Sequence, residues 1–126
     1  MSIEANKTIL RRYVEELNQR NLAILDELVA EDVQIGAWEE WGQPAAEIKY
    51  GSVAYGEGIR QRIAAFPDYQ VTILEMIAEA DQVMLYWRNR GTQLGIYDDV
   101  PPTGQVLEEV HISIYRIRNG QIVEVR

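Results

Sequence analysis

Side chains that could transfer a proton are concentrated in one short stretch near the C-terminus. His111, the only histidine, is followed at two-residue intervals by Ser113 and Tyr115, and Glu109 precedes it by two residues. Because side chains alternate across a β-strand, these four would share one face. An imidazole with a pKa of about 6.5 suits proton transfer at neutral pH, and a carboxylate can orient it. We therefore predict His111 as a candidate base; the alternative is a structural histidine on a half-exposed strand.

This stretch lies in a predicted β-hairpin. Residues 106–126 form two β-rich runs joined at Asn119-Gly120. The Asn-Gly pair favours a type I′ turn, in which both central residues take positive φ. On the face opposite the histidine, the first run carries an aliphatic set: Val110, Ile112 and Ile114. An aliphatic face on the outside of a sheet needs to be covered, so we expect a homodimer.

Two helices are predicted at the start of the chain. Apolar residues at helical spacing predict a helix over residues 2–19, with Tyr13 on its inner stripe. Asn21 is a suitable N-cap for a second short helix, which we expect to end at Glu31-Asp32. A strand is then predicted to begin at Val33.

A third short helix and two long strands are predicted before the hairpin. The helix covers residues 59–66 and is stopped by Pro67, whose ring disfavours helical geometry in the residue before it. The β-rich runs cover residues 70–79 and 82–93. In the second run, alternation places three candidate pocket residues on one face: Trp87, Asn89 and Gln93. Helices followed by strands indicate the α+β class.

Residues 37–58 are rich in aromatic residues and glycine. Trp38 and Trp41 precede a possible short strand over residues 47–50, and Tyr55 lies among three glycines. This composition fits a lid or pocket rim, in which Trp38 would contact a ligand. It equally fits a loop that packs its aromatic side chains on the core.

Composition excludes several classes of protein. A chain of 126 residues predicts one domain, over residues 1–126. The net charge of −8 argues against nucleic acid or an anionic membrane as a partner. Without cysteine there is no disulfide or thiolate metal site, and acidic pairs such as Asp98-Asp99 are expected to be solvated, so we predict no metal. No apolar run resembles a signal peptide or a membrane span, which predicts a cytoplasmic protein.

Five short motifs occur in order along the second half of the chain. They are Phe66-Pro-Asp-Tyr, Ala78-Glu-Ala-Asp-Gln-Val, Gly91-Thr-Gln-Leu-Gly, Pro101-Pro-Thr-Gly and Arg116-Ile-Arg-Asn-Gly-Gln-Ile-Val-Glu. With these motifs the chain resembles the SnoaL-like polyketide cyclase family of the NTF2-like superfamily. The resemblance covers nearly the whole chain. It implies an α+β cone, in which a curved, mostly antiparallel sheet wraps around three N-terminal helices.

The resemblance also implies a deep, mostly apolar pocket and acid–base chemistry on a small apolar or polycyclic carbonyl compound, without a metal or organic cofactor. In SnoaL-type cyclases the acid is an aspartate three residues before the arginine of the last motif. Here that arginine is Arg116, and the position holds Ser113. The histidine of a Gly-Thr-His-x-Gly motif is replaced by Gln93. His111 shares the face of Ser113 and could act as base, with Ser113, Gln93 and Tyr115 hydrogen bonding to a ligand.

Two related enzyme chemistries offer alternatives to this interpretation. In ketosteroid isomerases a helix tyrosine near the place of Tyr13 donates to a developing oxyanion, but it is paired with an aspartate where this chain has Ala37 or Trp38. Tyr13 is therefore a candidate ligand contact or a core aromatic. Related epoxide hydrolases use an Asp–Arg–Asp arrangement, of which Arg88-Asn89-Arg90 supplies only the arginines. Two functions remain: a cyclase- or isomerase-type enzyme, or a non-catalytic ligand-binding protein that lacks the family acid.

Overall fold

The computed structural model describes residues 2–36 and 49–126, with the backbone alone at residues 49 and 50. Its helices are α1 (Ile3–Asn18), α2 (Ile24–Leu28) and α3 (Ser52–Ala65). Its strands are β1 (Val29–Ile35), β2 (Lys49–Tyr50), β3 (Gln70–Glu79), β4 (Gln82–Thr92), β5 (Val106–Arg118) and β6 (Gln121–Val125). The α+β class predicted from the sequence is confirmed.

The described strands form one sheet in the order β2-β1-β6-β5-β4-β3. The neighbours β1 and β6 run parallel, and all other neighbouring pairs run antiparallel. The helices cover one face of this sheet, and the apolar core lies between the two layers. Its most deeply buried side chains are Leu10, Val33, Val83, Leu85 and Ile122.

Helix α1 is fixed to the sheet at its C-terminal end. The side-chain amide of Asn18 donates to the Val71 carbonyl at 2.8 Å, and its oxygen accepts from the Val71 N–H at 2.9 Å. Asn18 thus satisfies backbone groups of β3, the edge strand, that no neighbouring strand would satisfy. This contact sets the distance between helix and sheet, and therefore the room left between them.

The predicted hairpin is confirmed. Asn119 and Gly120 have φ of 51° and 75°, as a type I′ turn requires. Strands β5 and β6 pair on either side of this turn, with Arg118 opposite Gln121. On β5, Tyr115 is buried while Val110 and Ile112 are 50% and 53% exposed, so the strand has the predicted inner and outer faces.

The predicted bounds of α2, of the strand after it and of α3 were wrong. The N-cap of α2 is Ala23 rather than Asn21, and β1 begins at Val29 rather than at Val33. Helix α2 ends at Leu28 rather than at Glu31-Asp32, because the chain from Val29 onwards pairs with β6 as a strand. Helix α3 begins at Ser52, so Gly56 lies within a helix and not in a loop. Gly56 is buried where α3 meets α2, and a Cβ there would lie 2.9 Å from Nη1 of Arg60 and 3.6 Å from Leu25 Cδ1. The helix therefore includes Gly56 despite the low helix propensity of glycine.

Candidate functional site

A cavity of about 430 Å³ lies between the sheet, α1 and α3. Aliphatic side chains from all three make up much of its wall, including Val14, Ile59, Val71, Leu85 and Val125. Tyrosine, tryptophan, serine, asparagine and arginine supply its polar groups. Among the described residues, no aspartate, glutamate or histidine lines this larger cavity. The space suits a largely apolar molecule with a few oxygen atoms.

Four tyrosines line the larger cavity, and three of them, Tyr13, Tyr55 and Tyr115, lie close together. The hydroxyls of Tyr13 and Tyr55 are hydrogen bonded to each other, and the ring of Tyr115 lies 6.2 Å from that of Tyr13. Burial raises the pKa of Tyr13 and Tyr115 well above the usual range, and raises the pKa of Tyr55 to about 12. All three are therefore neutral at physiological pH, and they can donate hydrogen bonds but cannot act as bases.

Ser113 lies on the wall of the larger cavity, on the inner face of β5. Its Oγ accepts a hydrogen bond of 3.0 Å from the indole Nε1 of Trp87, which lies on β4 beside it. Sequence alternation correctly placed Trp87, Ser113 and Tyr115 around one space. The serine hydroxyl has no neighbouring base in this cavity among the described residues.

His111 lines a second, smaller cavity of about 160 Å³. Its ring packs on Trp87, with centroids 4.6 Å apart, and its Nε2 lies 3.7 Å from a carboxylate oxygen of Glu109. The side chains of His111 and Glu109 are 38% and 46% exposed. The two cavities share three wall residues: Arg62, Tyr69 and Trp87. Trp87 therefore separates the imidazole of His111 from a molecule in the larger cavity.

Arg62 is the functional candidate that sequence reasoning missed. It lies on α3 and contributes to both cavities, with Nε and Nη2 each 3.4 Å from the hydroxyl of Tyr97 and the guanidinium carbon 5.8 Å from the ring centroid of Tyr69. Burial disfavours its charge, but hydrogen bonding to Tyr97 and the proximity of Tyr69 outweigh burial and raise the pKa of Arg62. The sequence did contain a signal, because Arg62 falls between Ile59 and Ile63 on the apolar side of the helix.

Asn89 lies on β4 and Gln93 directly follows the end of that strand; both are buried, but neither lines the larger cavity. Asn89 lines the smaller cavity, donates to the Tyr69 hydroxyl at 3.2 Å and accepts from the Glu109 N–H at 3.2 Å. Gln93 lines a third cavity of about 310 Å³. Its amide donates to the carbonyls of Gly95, Val100 and Pro101, and its oxygen accepts from Thr103. Through these hydrogen bonds, Gln93 stabilises the loop between β4 and β5.

Trp38 and Trp41 lie outside the described residues, so the predicted lid or rim stays a prediction. Within the described ranges 2–36 and 49–126, no group of three histidine, cysteine, aspartate or glutamate side chains could hold a metal ion. No helix among these residues is long and apolar enough to cross a membrane.

A curved sheet with helices on one face and an apolar cavity between them defines an α+β cone of the NTF2-like kind. The profile of the SnoaL-like polyketide cyclase family matches residues 7–126, so the chain belongs to that family. The family predicted from the motifs is confirmed. Comparison with curated protein sequences gives no match.

Solved structures with the same fold include several from bacteria. IdmH of Streptomyces antibioticus, a proposed polyketide cyclase, is 26% identical with a TM-score of 0.79, over 95% of this chain and 88% of that one. A SnoaL-like polyketide cyclase of Agrobacterium tumefaciens is 19% identical with a TM-score of 0.78, over 99% of this chain and 89% of that one. AclR of Streptomyces galilaeus, a proposed hydroxylase, is 22% identical with a TM-score of 0.81, over 98% of this chain and 74% of that one.

Proposed function

We propose that the protein binds a small, largely apolar carbonyl compound in the larger cavity. The observation that carries this proposal is the combination of aliphatic walls with neutral tyrosine hydroxyls. In the Tyr13–Tyr55 pair one hydroxyl donates to the other, which leaves the proton of the second available for a ligand oxygen. A carbonyl oxygen is the acceptor that such a site suits.

We further propose that the bound compound undergoes a cofactor-free proton transfer with His111 as the base. The neutral imidazole would take a proton from the carbon next to the carbonyl, and the C–H electron pair would move to form an enolate. A tyrosine hydroxyl would stabilise the enolate oxygen. Return of the proton gives isomerisation or exchange, and attack of the enolate carbon on a second carbonyl of the same molecule gives ring closure. Glu109 supports this role, because its carboxylate oxygen lies 3.7 Å from His111 Nε2, where it can orient the imidazole.

One observation favours a second candidate, a non-catalytic ligand-binding protein. The wall of the larger cavity has Ser113 where the resemblance places an acid, and no aspartate, glutamate or histidine among its described lining residues. A ligand confined to that cavity would meet hydroxyl, amide, indole and guanidinium groups, none of which is a general base at neutral pH. The two candidates therefore differ in whether the ligand reaches the imidazole.

Proton exchange on a simple ketone separates the two candidates. The protein is incubated with 2-tetralone in D2O, and loss of its α-proton signals is followed by NMR. The enzyme proposal predicts exchange above the buffer rate, reduced about a hundredfold in His111→Ala, in line with the yield of general acid–base catalysis. Glu109→Gln should also slow exchange, whereas Glu79→Gln, at the exposed end of β3, should not.

The same experiment can overturn either part of the proposal. Binding of 2-tetralone, measured by chemical-shift perturbation, without exchange above the buffer rate would support the ligand-binding candidate. An exchange rate that His111→Ala leaves unchanged would remove His111 from the mechanism. No binding of 2-tetralone would contradict the proposed pocket function itself.

We also propose that two copies associate through the outer face of the sheet. Neighbouring strands bring together an exposed apolar group on this face: Ile77, Tyr86, Val110 and Ile112. The ion pairs of Glu108 with Arg88 and Arg90 lie on the same face, so the surface carries both signs of charge. A surface of this kind is complementary to itself about a two-fold axis, and a second copy of this chain is the partner that it fits.

A further inference from the structure

We propose that Arg62 is an oxyanion-recognition residue, and that the ligand carries a carboxylate on an otherwise apolar, ring-containing body. The inference rests on the proposed pocket function and adds the chemical class of the ligand. It comes from the position of Arg62 between the two cavities and from the chemistry of its partners. His111 plays no part in it.

Arg62 differs from the other arginines in what it contacts. Within the described residues, six arginines form ion pairs with carboxylates: Arg12, Arg88, Arg90, Arg116, Arg118 and Arg126. Arg20 instead donates to backbone carbonyls, and Arg11 and Arg60 are exposed to solvent. Arg62 has phenols as its described partners, and no described carboxylate lies within ion-pair distance of it.

Glu109 is the one carboxylate among the described residues that line the two cavities. It lines the smaller cavity together with Arg62, but it forms no ion pair with Arg62, and its oxygen lies 3.7 Å from Nε2 of His111. The guanidinium donates to Tyr97 at 3.4 Å, beyond the usual range of about 2.7–3.2 Å for such bonds. The phenols favour the charged guanidinium but carry no charge themselves, so Arg62 has no described counter-ion. An anionic ligand would supply that counter-ion.

The groups around Arg62 favour a ligand with a carboxylate on an otherwise apolar body. A planar guanidinium matches the two oxygens of a carboxylate. The aliphatic wall of the larger cavity suits a hydrocarbon ring system, and Tyr69 and Trp87 line both cavities beside Arg62. A phosphate dianion would need further cations, and Arg62 is the one Lys or Arg among the described residues that line these two cavities.

The test uses a matched pair of probes, 2-naphthoate and its neutral analogue 2-naphthamide, titrated by isothermal calorimetry at pH 7.5. The wild-type protein should bind the carboxylate at least about tenfold more tightly than the amide, since a hydrogen-bonded charge pair supplies that difference. Arg62→Met should abolish the preference while leaving amide binding within about threefold. Arg60→Met, on the exposed side of the same helix, should keep it.

Each outcome decides a separate point. Equal wild-type affinities for the two probes would overturn the inference and leave the pocket function standing, and this comparison needs no variant to fold. A preference that survives in Arg62→Met would also overturn it, because another group would then be the anion site. Failure of both probes to bind would contradict the pocket function together with the inference.

Discussion

The indole N–H of Trp87 donates to the hydroxyl of Ser113 across the β4–β5 pair, at 3.0 Å. Leu85 is opposite Ser113 in the strand register and Trp87 is opposite His111, so the hydrogen bond runs diagonally between neighbouring positions. Trp87 thereby contacts both the residue at the expected acid position and the histidine proposed to replace it. Together with Arg62 and Tyr69, Trp87 lines both the larger and the smaller cavity.

Replacing Ser113 with aspartate should restore an acid–base group to the larger cavity. The Trp87 indole N–H could donate to the new carboxylate, and the apolar wall would raise the pKa of that carboxyl towards neutrality. We expect Ser113→Asp to speed α-proton exchange of 2-tetralone at least about tenfold over wild type. Ser113→Asn, of similar size but without a titrating proton, is the control. If Ser113→Asp binds 2-tetralone but exchanges its α-protons no faster than wild type does, this prediction is contradicted.

Stability should fall at alkaline pH because of the buried tyrosines. Burial raises the pKa of Tyr55 to about 12, so its neutral form stabilises the folded state. That stabilisation is complete below the unfolded-state pKa of about 10 and is lost as the pH rises through 10 towards 12. The contribution of Tyr55 is roughly 3 kcal/mol. Tyr13 and Tyr115 act in the same direction.

Urea unfolding between pH 8 and pH 11.5, with phenolate absorbance at 295 nm, measures this effect. Tyr55→Phe should be less stable than wild type at pH 8, because Tyr13 loses its hydrogen-bond partner. Its stability should nevertheless decline less steeply above pH 10. If all tyrosines of the folded protein titrated together near pH 10, the tyrosine cluster would not be buried as described.

Two glycine substitutions should change stability in opposite directions. A Cβ at Gly91 would lie 2.9 Å from the Cβ of Phe66, so Gly91→Ala should destabilise the fold by about 1–3 kcal/mol. A Cβ at Gly58, within α3, would meet nothing within 4 Å. Gly58→Ala should stabilise the protein by up to about 1 kcal/mol through helix propensity. Urea denaturation measures both, and equal effects of the two changes would argue against the Phe66 contact.

A charge on the outer face of the sheet should separate the proposed dimer. Ile112 is 53% exposed at the centre of the apolar group, and a buried lysine there would lack a counter-charge. Sedimentation velocity should give a dimer for wild type and a monomer for Ile112→Lys. Ile96→Lys, in the loop between β4 and β5, is the control and should remain dimeric. A monomeric wild-type protein at every concentration would contradict the proposal.

The motifs that identified the family mainly build the fold. Asp68 of the first motif accepts from the backbone N–H of Thr92 at 2.6 Å and from its hydroxyl at 2.8 Å. Arg116 donates to both carboxylate oxygens of Asp81, at 2.9 and 3.0 Å. Both contacts join motifs that are distant in sequence. They explain why the motifs predicted the fold well while leaving the chemistry of the pocket open.

The sequence by itself determined the hairpin, the bounds of β3, and the inner faces of β4 and β5. These features depend on local preferences, namely positive φ at Asn119-Gly120 and side-chain alternation along each strand. Tertiary structure alone decided where α3 begins, that Ser113 and His111 line different cavities, and that Arg62 lines both of these. The reason is physical: Arg62 meets Tyr97, and Tyr13 meets Tyr55, only when elements far apart in the chain pack together. Local sequence patterns do not predict which distant residues come into contact, so the proposed oxyanion site is visible only in the structure.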